Sequence, residues 1–87
     1  MEDREDRLRK LKIRSWRRGT REMDLVLGRF GDQHFADMSD DQLDAVEALM
    51  AENDVDIITW INGQVEPPAD HQALVAELTA FALKNPL

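Results

Sequence analysis

The 87-residue sequence contains no cysteine. A disulfide scaffold, catalysis by a thiol and zinc or iron–sulfur centres held by thiolates are therefore excluded. No apolar run approaches the roughly 20 residues that a membrane-spanning helix needs. The N-terminal sequence MEDREDRLRKLK alternates acidic and basic residues without an apolar stretch, a pattern typical of neither a signal peptide nor a transit peptide. We therefore expect a cytoplasmic protein whose fold depends on packing, or partly on a partner.

The residue types that enzymes use are present, but they are not grouped in a recognisable pattern. His34 and His71 lie far apart without ligand-spaced partners, so we expect solvated or locally bonded histidines and no metal site. No glycine-rich loop that could hold a phosphate is present. Many carboxylates are expected on the surface of so acidic a chain. The sequence therefore predicts no catalytic residues, and we expect a protein that is not an enzyme.

Charge is distributed unevenly along the chain. Residues 1–31 contain ten Lys or Arg and six Asp or Glu, whereas residues 32–87 contain one Lys and twelve Asp or Glu. The formal net charge is −7. Two interpretations are open: a solvated basic helix that an acidic body neutralises, or a basic patch for a partner. Nucleic-acid binding is disfavoured because the acidic remainder of the chain would repel phosphates, and because Glu22 and Asp24 begin the candidate recognition helix.

Apolar residues recur at helical spacing through nearly the whole chain, so we expect an all-α fold of five helices in one small domain, residues 1–87. The second helix, on which Met23, Val26, Leu27 and Phe30 form an apolar stripe, is expected to be the longest. The expected helices are about 3–17, a second that ends near Asp37, a third from a capping box at Ser39 to about Glu52, a fourth capped by Asp54 and ended by Gly63, and a fifth capped by Asp70. The expected buried residues are Met23, Val26, Leu27, Phe30, Leu43, Val46, Ile57, Ile61, Leu74 and Leu78.

The segment SWRRGTRE, residues 15–22, concentrates positive charge beside a glycine that interrupts the helical pattern. Gly19 can adopt a positive φ just beyond a helix, or it can start the next one. Glu22 suits the positive end of the second helix. Trp60 is expected in the core, whereas Trp16 is either core or an interface anchor. From these residues alone, a plain corner between helices and a recognition surface both remain open.

The stretch RSWRRGTREMDLVLGRF, residues 14–30, resembles the small FAD assembly factors of succinate dehydrogenase, also called SdhE-type or YgfY-like proteins. Their hallmark is R-G-x-x-E, which stands here at residues 18–22 and is followed, as in that family, by an acidic residue at position 24. The later stretch LDAVEALMAENDVDIITWINGQVEPP, residues 43–68, is also similar to the family's sequence. The resemblance covers roughly residues 7–83 with similar spacing.

The resemblance implies a five-helix domain that binds the FAD-free flavoprotein subunit of succinate dehydrogenase and, in bacteria, also that of fumarate reductase. Such factors promote covalent attachment of FAD to a histidine of that subunit, and they act as dedicated chaperones because the flavoprotein's own chemistry forms the bond. A free monomer in the bacterial cytoplasm is expected. We expect this chain to bind no FAD itself, because it has no dinucleotide-binding fingerprint. The alternative is a generic acidic helical adaptor without a role in flavinylation.

Carried onto this sequence, the resemblance implies a partner-binding surface around the glycine. Gly19 would let the two backbones approach closely. The guanidinium of Arg18 would bind a carboxylate or carbonyl of the partner, and Glu22 would pair with an arginine or accept a hydrogen bond from the partner. We also expect Arg14, Arg17, Arg18 and Arg21 to form one exposed positive patch. The residues expected to contact the partner are Trp16, Arg17, Arg18, Gly19, Glu22 and Asp24.

Overall fold

The computed structural model describes residues 3–86, and within that range it contains five α-helices and no strand. The predicted all-α fold is therefore confirmed, and the second helix, with 14 residues, is the longest as expected. The helices are α1 (Arg4–Trp16), α2 (Arg21–His34), α3 (Asp40–Met50), α4 (Asp54–Ile61) and α5 (Gln72–Lys84), with short 3₁₀ helices at Phe35–Asp37 and Ala69–His71.

Each of the first three helices begins at a side chain that accepts a hydrogen bond from the helix's first turn. Asp3 accepts from the backbone N–H of Asp6, and Thr20 accepts from that of Met23. Ser39 and Gln42 exchange both bonds of the predicted capping box. These caps satisfy backbone donors that have no partner within the helix, and each is typically worth about 1 kcal/mol.

Two predicted caps and one predicted helix end are wrong. Asn53, not Asp54, precedes α4, because the carboxylate of Asp54 is bound to Arg18 instead of to the helix backbone. Asp70 lies inside a 3₁₀ turn, in which the backbone N–H of His71 bonds to the carbonyl of Pro68, so α5 begins only at Gln72. The end of α2 tightens in the same way, and the α-helix stops at His34 instead of near position 37.

The core is one cluster of apolar side chains to which all five helices contribute. Helix α2 packs along α1 and against α5, and α5 also packs against α4. Buried Phe35 follows α2 and closes the cluster towards Phe30, with the two rings edge-to-face at 6.2 Å. The residues predicted to be buried are buried except Val26 and Ile61, which are only half-buried.

Trp60 lies in the core as expected, and its indole is stacked on the imidazole of His71 at 5.6 Å. The two histidines show the two forms of the expectation. His71 is buried and held locally, with its Nε2 3.8 Å from a carboxylate oxygen of Glu52. His34 is exposed beside the ring of Phe30. The stack explains why a 3₁₀ turn lies before α5, since that turn places His71 over Trp60.

Candidate partner-binding surface

Residues 17–20, which we call the corner, join α1 to α2 and contain a left-handed backbone at Gly19, with a φ of +111°. No heavy atom lies within 4 Å of the place where a Cβ would stand on this glycine. The conformation of the turn therefore explains the glycine, whereas crowding inside the fold does not. Of the two alternatives left open for this glycine, the structure shows the positive φ, and the open space above Gly19 leaves its backbone accessible from outside.

Asp24 holds the corner from the inside. Its Oδ1 accepts hydrogen bonds from the backbone N–H groups of Arg18, at 2.5 Å, and Gly19, at 3.2 Å. These donors belong to a turn that has left α1 and has not yet entered α2, so helical bonding does not satisfy them. The half-buried carboxylate of Asp24 therefore fixes the shape of the turn.

The guanidinium of Arg18 points into the molecule and closes a four-residue contact that we call the Arg18 clamp, formed with Met50, Glu52 and Asp54. Its Nε donates to Oδ1 of Asp54 at 2.8 Å, and its two Nη atoms donate to the backbone carbonyls of Met50 and Glu52 at 2.6 and 2.9 Å. Only 13% of the Arg18 side chain is exposed, and the facing Asp54 side chain is 16% exposed. The expectation that Arg18 belongs to an exposed patch is wrong.

The Arg18 clamp ties the corner to the junction between α3 and α4. The carbonyls it binds lie at and just beyond the end of α3, where a helix leaves acceptors without partners and carries partial negative charge. A planar group with five donors fits two carbonyls and one carboxylate at once. Sequence reasoning missed this contact because residues 18 and 54 are 36 positions apart and no spacing rule connects them.

Trp16 lies flat on α2 and is also partly open to solvent. A Cβ on Gly28 would stand 2.3 Å from a ring carbon of the indole, so only glycine permits this contact. The indole Nε1 donates to a carboxylate oxygen of Asp32 at 3.2 Å, and 38% of Trp16 remains exposed. Trp16 therefore both packs against α2 and presents one edge outward. A glycine inside a strongly amphipathic helix is the signal in the sequence that could have revealed the contact.

Three of the four arginines expected in the positive patch are exposed: Arg14 in the last turn of α1, Arg17 in the corner and Arg21 at the start of α2. Within residues 3–86, none of the three forms an ion pair with an acidic side chain. Glu22, in the first turn of α2, is likewise exposed and has no ion pair or side-chain hydrogen bond in the described part of the chain. The charges around the corner are therefore free to meet a partner.

The structure thus divides the six residues that were expected to contact a partner. Trp16, Arg17, Gly19 and Glu22 are exposed around the corner, whereas Arg18 and Asp24 bond inward and hold it in shape. No group of three or more metal-ligating side chains occurs among residues 3–86. No described helix has both the length and the apolar character to cross a membrane.

Residues 9–82 match the profile of a protein family described as "Flavinator of succinate dehydrogenase". The chain belongs to this family. The match runs from the middle of α1 almost to the end of α5. The matched range therefore contains the residues that form the corner, the Arg18 clamp and the stack of Trp60 on His71. The resemblance to FAD assembly factors seen in the sequence is therefore confirmed over nearly the same range.

Individual members of the flavinator family are similar at moderate identity. A mitochondrial succinate dehydrogenase assembly factor 2 from Meyerozyma guilliermondii is 41% identical over 71 residues, which are 79% of this chain and 53% of the relative. Its namesake from Dictyostelium discoideum is 32% identical over 77 residues, 88% of this chain and 55% of the relative. The FAD assembly factor SdhE of Legionella pneumophila is 33% identical over 60 residues, 69% of this chain and 76% of the relative.

This flavinator-family chain therefore spans about half the length of the two mitochondrial relatives and about three quarters of the bacterial one. No solved structure matches it significantly.

Proposed function

We propose that this chain is an assembly factor that binds the FAD-free flavoprotein subunit of succinate dehydrogenase and promotes covalent attachment of FAD to it. The observation that carries the proposal is the flavinator match over residues 9–82. The names of the relatives, two succinate dehydrogenase assembly factors and one FAD assembly factor, support the same role. No feature of the chain favours the alternative, a general acidic adaptor.

In the proposed mechanism the chain acts as a chaperone and not as an enzyme. The Arg18 clamp and Asp24 hold the corner rigid, so that Gly19, Arg17 and Glu22 meet the client in a preformed arrangement. Preformed contacts lower the entropy that must be lost on binding. The client supplies the histidine and the chemistry of the new bond, and FAD belongs to the client. The absence of a glycine-rich phosphate loop from the sequence supports this division of roles.

We propose the flavoprotein of fumarate reductase as a second client, and a free monomer in the bacterial cytoplasm as the working form. The bacterial assignment is supported by the match to the FAD assembly factor SdhE of Legionella pneumophila. The role of the fumarate reductase flavoprotein as a client is implied only by the resemblance described above. A binding assay of the purified chain with each of the two FAD-free flavoproteins tests it.

The test is reconstitution of FAD attachment, read as flavin fluorescence of the client band in a denaturing gel. FAD-free client is mixed with FAD, with and without this chain, and we expect the chain to accelerate formation of the fluorescent band. An adaptor without a role in flavinylation would leave the rate unchanged. Glu22→Gln should lower the rate while the protein stays folded, because an exposed residue near a helix start contributes at most about 1 kcal/mol to folding, which lowers the melting temperature by at most about 8 °C.

Gly19→Ala and Gly63→Ala form a matched pair in the same assay. Gly63 also has a positive φ, +78°, and open space around its Cβ position, but it lies beyond the end of α4. Both variants should lose on the order of 1 kcal/mol of stability, because a side chain is strained in that backbone conformation. If the corner contacts the client, Gly19→Ala alone should abolish the acceleration. Equal activity of the two variants would make the corner a plain turn.

A further inference from the structure

A groove of about 410 Å³ opens where α2, α4 and α5 meet. Its apolar lining consists of Val26, Ile58, Ile61 and Ala82, all half-buried, beside the buried side chain of Met23. The groove is a surface feature that the contacts between the helices leave open. Burial of an apolar side chain of another molecule in this groove would remove apolar surface from water.

Val26 and Ile61 are the two predicted core residues that the fold does not bury. Both have the helical spacing of core positions, with buried Met23 before the first and buried Ile57 before the second. Both line the groove. The two residues therefore pack against the edge of the core and leave part of their apolar surface open to the groove.

One carboxylate distinguishes this groove from a plain apolar cleft. Glu22 lines it and, among residues 3–86, is the only ionisable side chain that does so; the other polar residues there are Asn62 and Asn85. The exposed carboxylate of Glu22 has no ion pair or side-chain hydrogen bond within residues 3–86. An anionic group beside apolar surface is complementary to an apolar side chain next to a lysine or arginine. Glu22 also makes the groove continuous with the proposed client surface at the corner.

We propose that this groove receives a segment of the client flavoprotein, which inserts one aliphatic or aromatic side chain between Val26, Ile58 and Ile61 and places a neighbouring lysine or arginine on Glu22. The inference rests on the proposed function and adds a second contact to it, beyond the corner. Burial of an apolar side chain supplies affinity, and the charge pair fixes the register of the segment.

The test fills the groove from within. Ala82→Phe places a phenyl group in it. Ala76→Phe makes the same change on another side of α5, which borders a separate groove lined by Trp60 and Pro67. The Ala82 variant should melt at the wild-type temperature or higher, because the added ring covers apolar surface. Its affinity for FAD-free client, measured by calorimetry, should fall about tenfold or more, as for loss of a central interface contact. The Ala76 variant should bind like the wild type.

Two further variants keep the test decisive if the phenyl group disturbs the fold. Val26→Thr keeps the branched shape but introduces a hydroxyl at the groove surface, and it should weaken client binding. Glu22→Gln should weaken it and also reduce its dependence on salt concentration. Folded Ala82→Phe and Val26→Thr proteins that bind client as the wild type does would overturn the groove proposal and leave the proposed function intact.

Two other results would overturn the proposal differently. If the wild-type chain binds no FAD-free flavoprotein, the groove proposal and the proposed function fail together. If Ala82→Phe abolishes self-association in gel filtration but leaves client binding unchanged, a second copy of the chain occupies the groove, and the assignment to the client is wrong.

Discussion

The two ends of α1 both carry arginines but use them differently. At its start, Arg4 pairs with Asp40 at 2.9 Å, and Arg7 binds Asp44 and Glu47 of α3. At its end, Arg14 has no acidic partner among residues 3–86. Neutralisation by the acidic body, the first interpretation of the uneven charge, therefore holds for the first half of the helix, whereas the basic patch for a partner stays a prediction for the second half. The acidic body neutralises the first half, and the second half remains available as a positive surface.

In the first half of α1, the ion pairs with acidic residues of α3 connect the two helices. The hydrogen bond that Arg7 donates to the carboxylate of Asp44, with help from Glu47, raises the pKa of the Arg7 guanidinium above its usual value despite the opposing effect of desolvation. Arginine is charged at every pH at which proteins fold, so the shift creates no pH-dependent switch. These ion pairs join the start of α1 to α3. The ion pairs at the start of α1 therefore hold the fold together, whereas Arg14, Arg17 and Arg21 around the corner form none within residues 3–86.

Arg18 is the exception to this comparison, because it lies within the corner and yet forms an ion pair with Asp54. Its replacement should have the largest effect on stability. Arg18→Ala leaves the carboxylate of Asp54 and two carbonyls at the α3–α4 junction without their donor. Breaking a largely buried ion pair by removing one partner destabilises a protein by about 3 kcal/mol or more. We expect a loss of that size in urea unfolding. Arg17→Ala, its neighbour in the chain, should lose less than about 0.5 kcal/mol, as is usual for exposed positions.

A double-mutant cycle with Asp54→Ala distinguishes an internal clamp from a client contact. If the clamp holds the corner in shape, the two single variants should weaken client binding to a similar extent, and the double variant should bind no worse than either. The interaction free energy between the Arg18 and Asp54 substitutions, measured by urea unfolding, should be on the order of 1–3 kcal/mol. Additive losses in client affinity, with no coupling, would mean that Arg18 leaves Asp54 and binds the client itself.

The unpaired arginines should control the rate of association. A protein with Arg14, Arg17 and Arg21 all changed to Gln should fold with wild-type stability, because none of the three forms an ion pair within residues 3–86. Its association rate with FAD-free client should fall about tenfold at low salt, since complementary charge accelerates encounter. Stopped-flow measurement at several salt concentrations tests this. An association rate that neither salt nor the triple change affects would show that the patch has no role in steering.

The fold was predictable from the sequence because the apolar positions follow the helical period, and caps such as Ser39 have local signatures. The site was predictable only in part. A glycine between two helical patterns indicates a turn at Gly19 and allows a positive φ as one of two alternatives. The inward direction of Arg18 depends on a partner 36 residues away, and nothing local separates it from Arg17. The half-burial of Val26 and Ile61 depends on how α2, α4 and α5 meet, which helical periodicity does not specify.

Arg4→Ala should have only a small effect on stability, and it tests the comparison at the paired end of α1. Arg4 donates to Asp40 and to the carbonyls of Ala36 and Met38, but 43% of its side chain and 79% of that of Asp40 are exposed. Exposed pairs contribute between about 0.2 and 1 kcal/mol, so we expect a loss below about 1 kcal/mol in urea unfolding. The loss should shrink as salt is added, because ions screen exposed charges.

Client binding by Arg4→Ala should equal that of the wild type, since this arginine serves the contact between α1 and the start of α3. Calorimetry with FAD-free client, under the conditions used for the triple variant, makes the two ends of α1 directly comparable. A variant of unchanged stability with weakened client binding would contradict the division. It would mean that Arg4 exchanges Asp40 for a client carboxylate, and that the partner surface extends along the whole of α1.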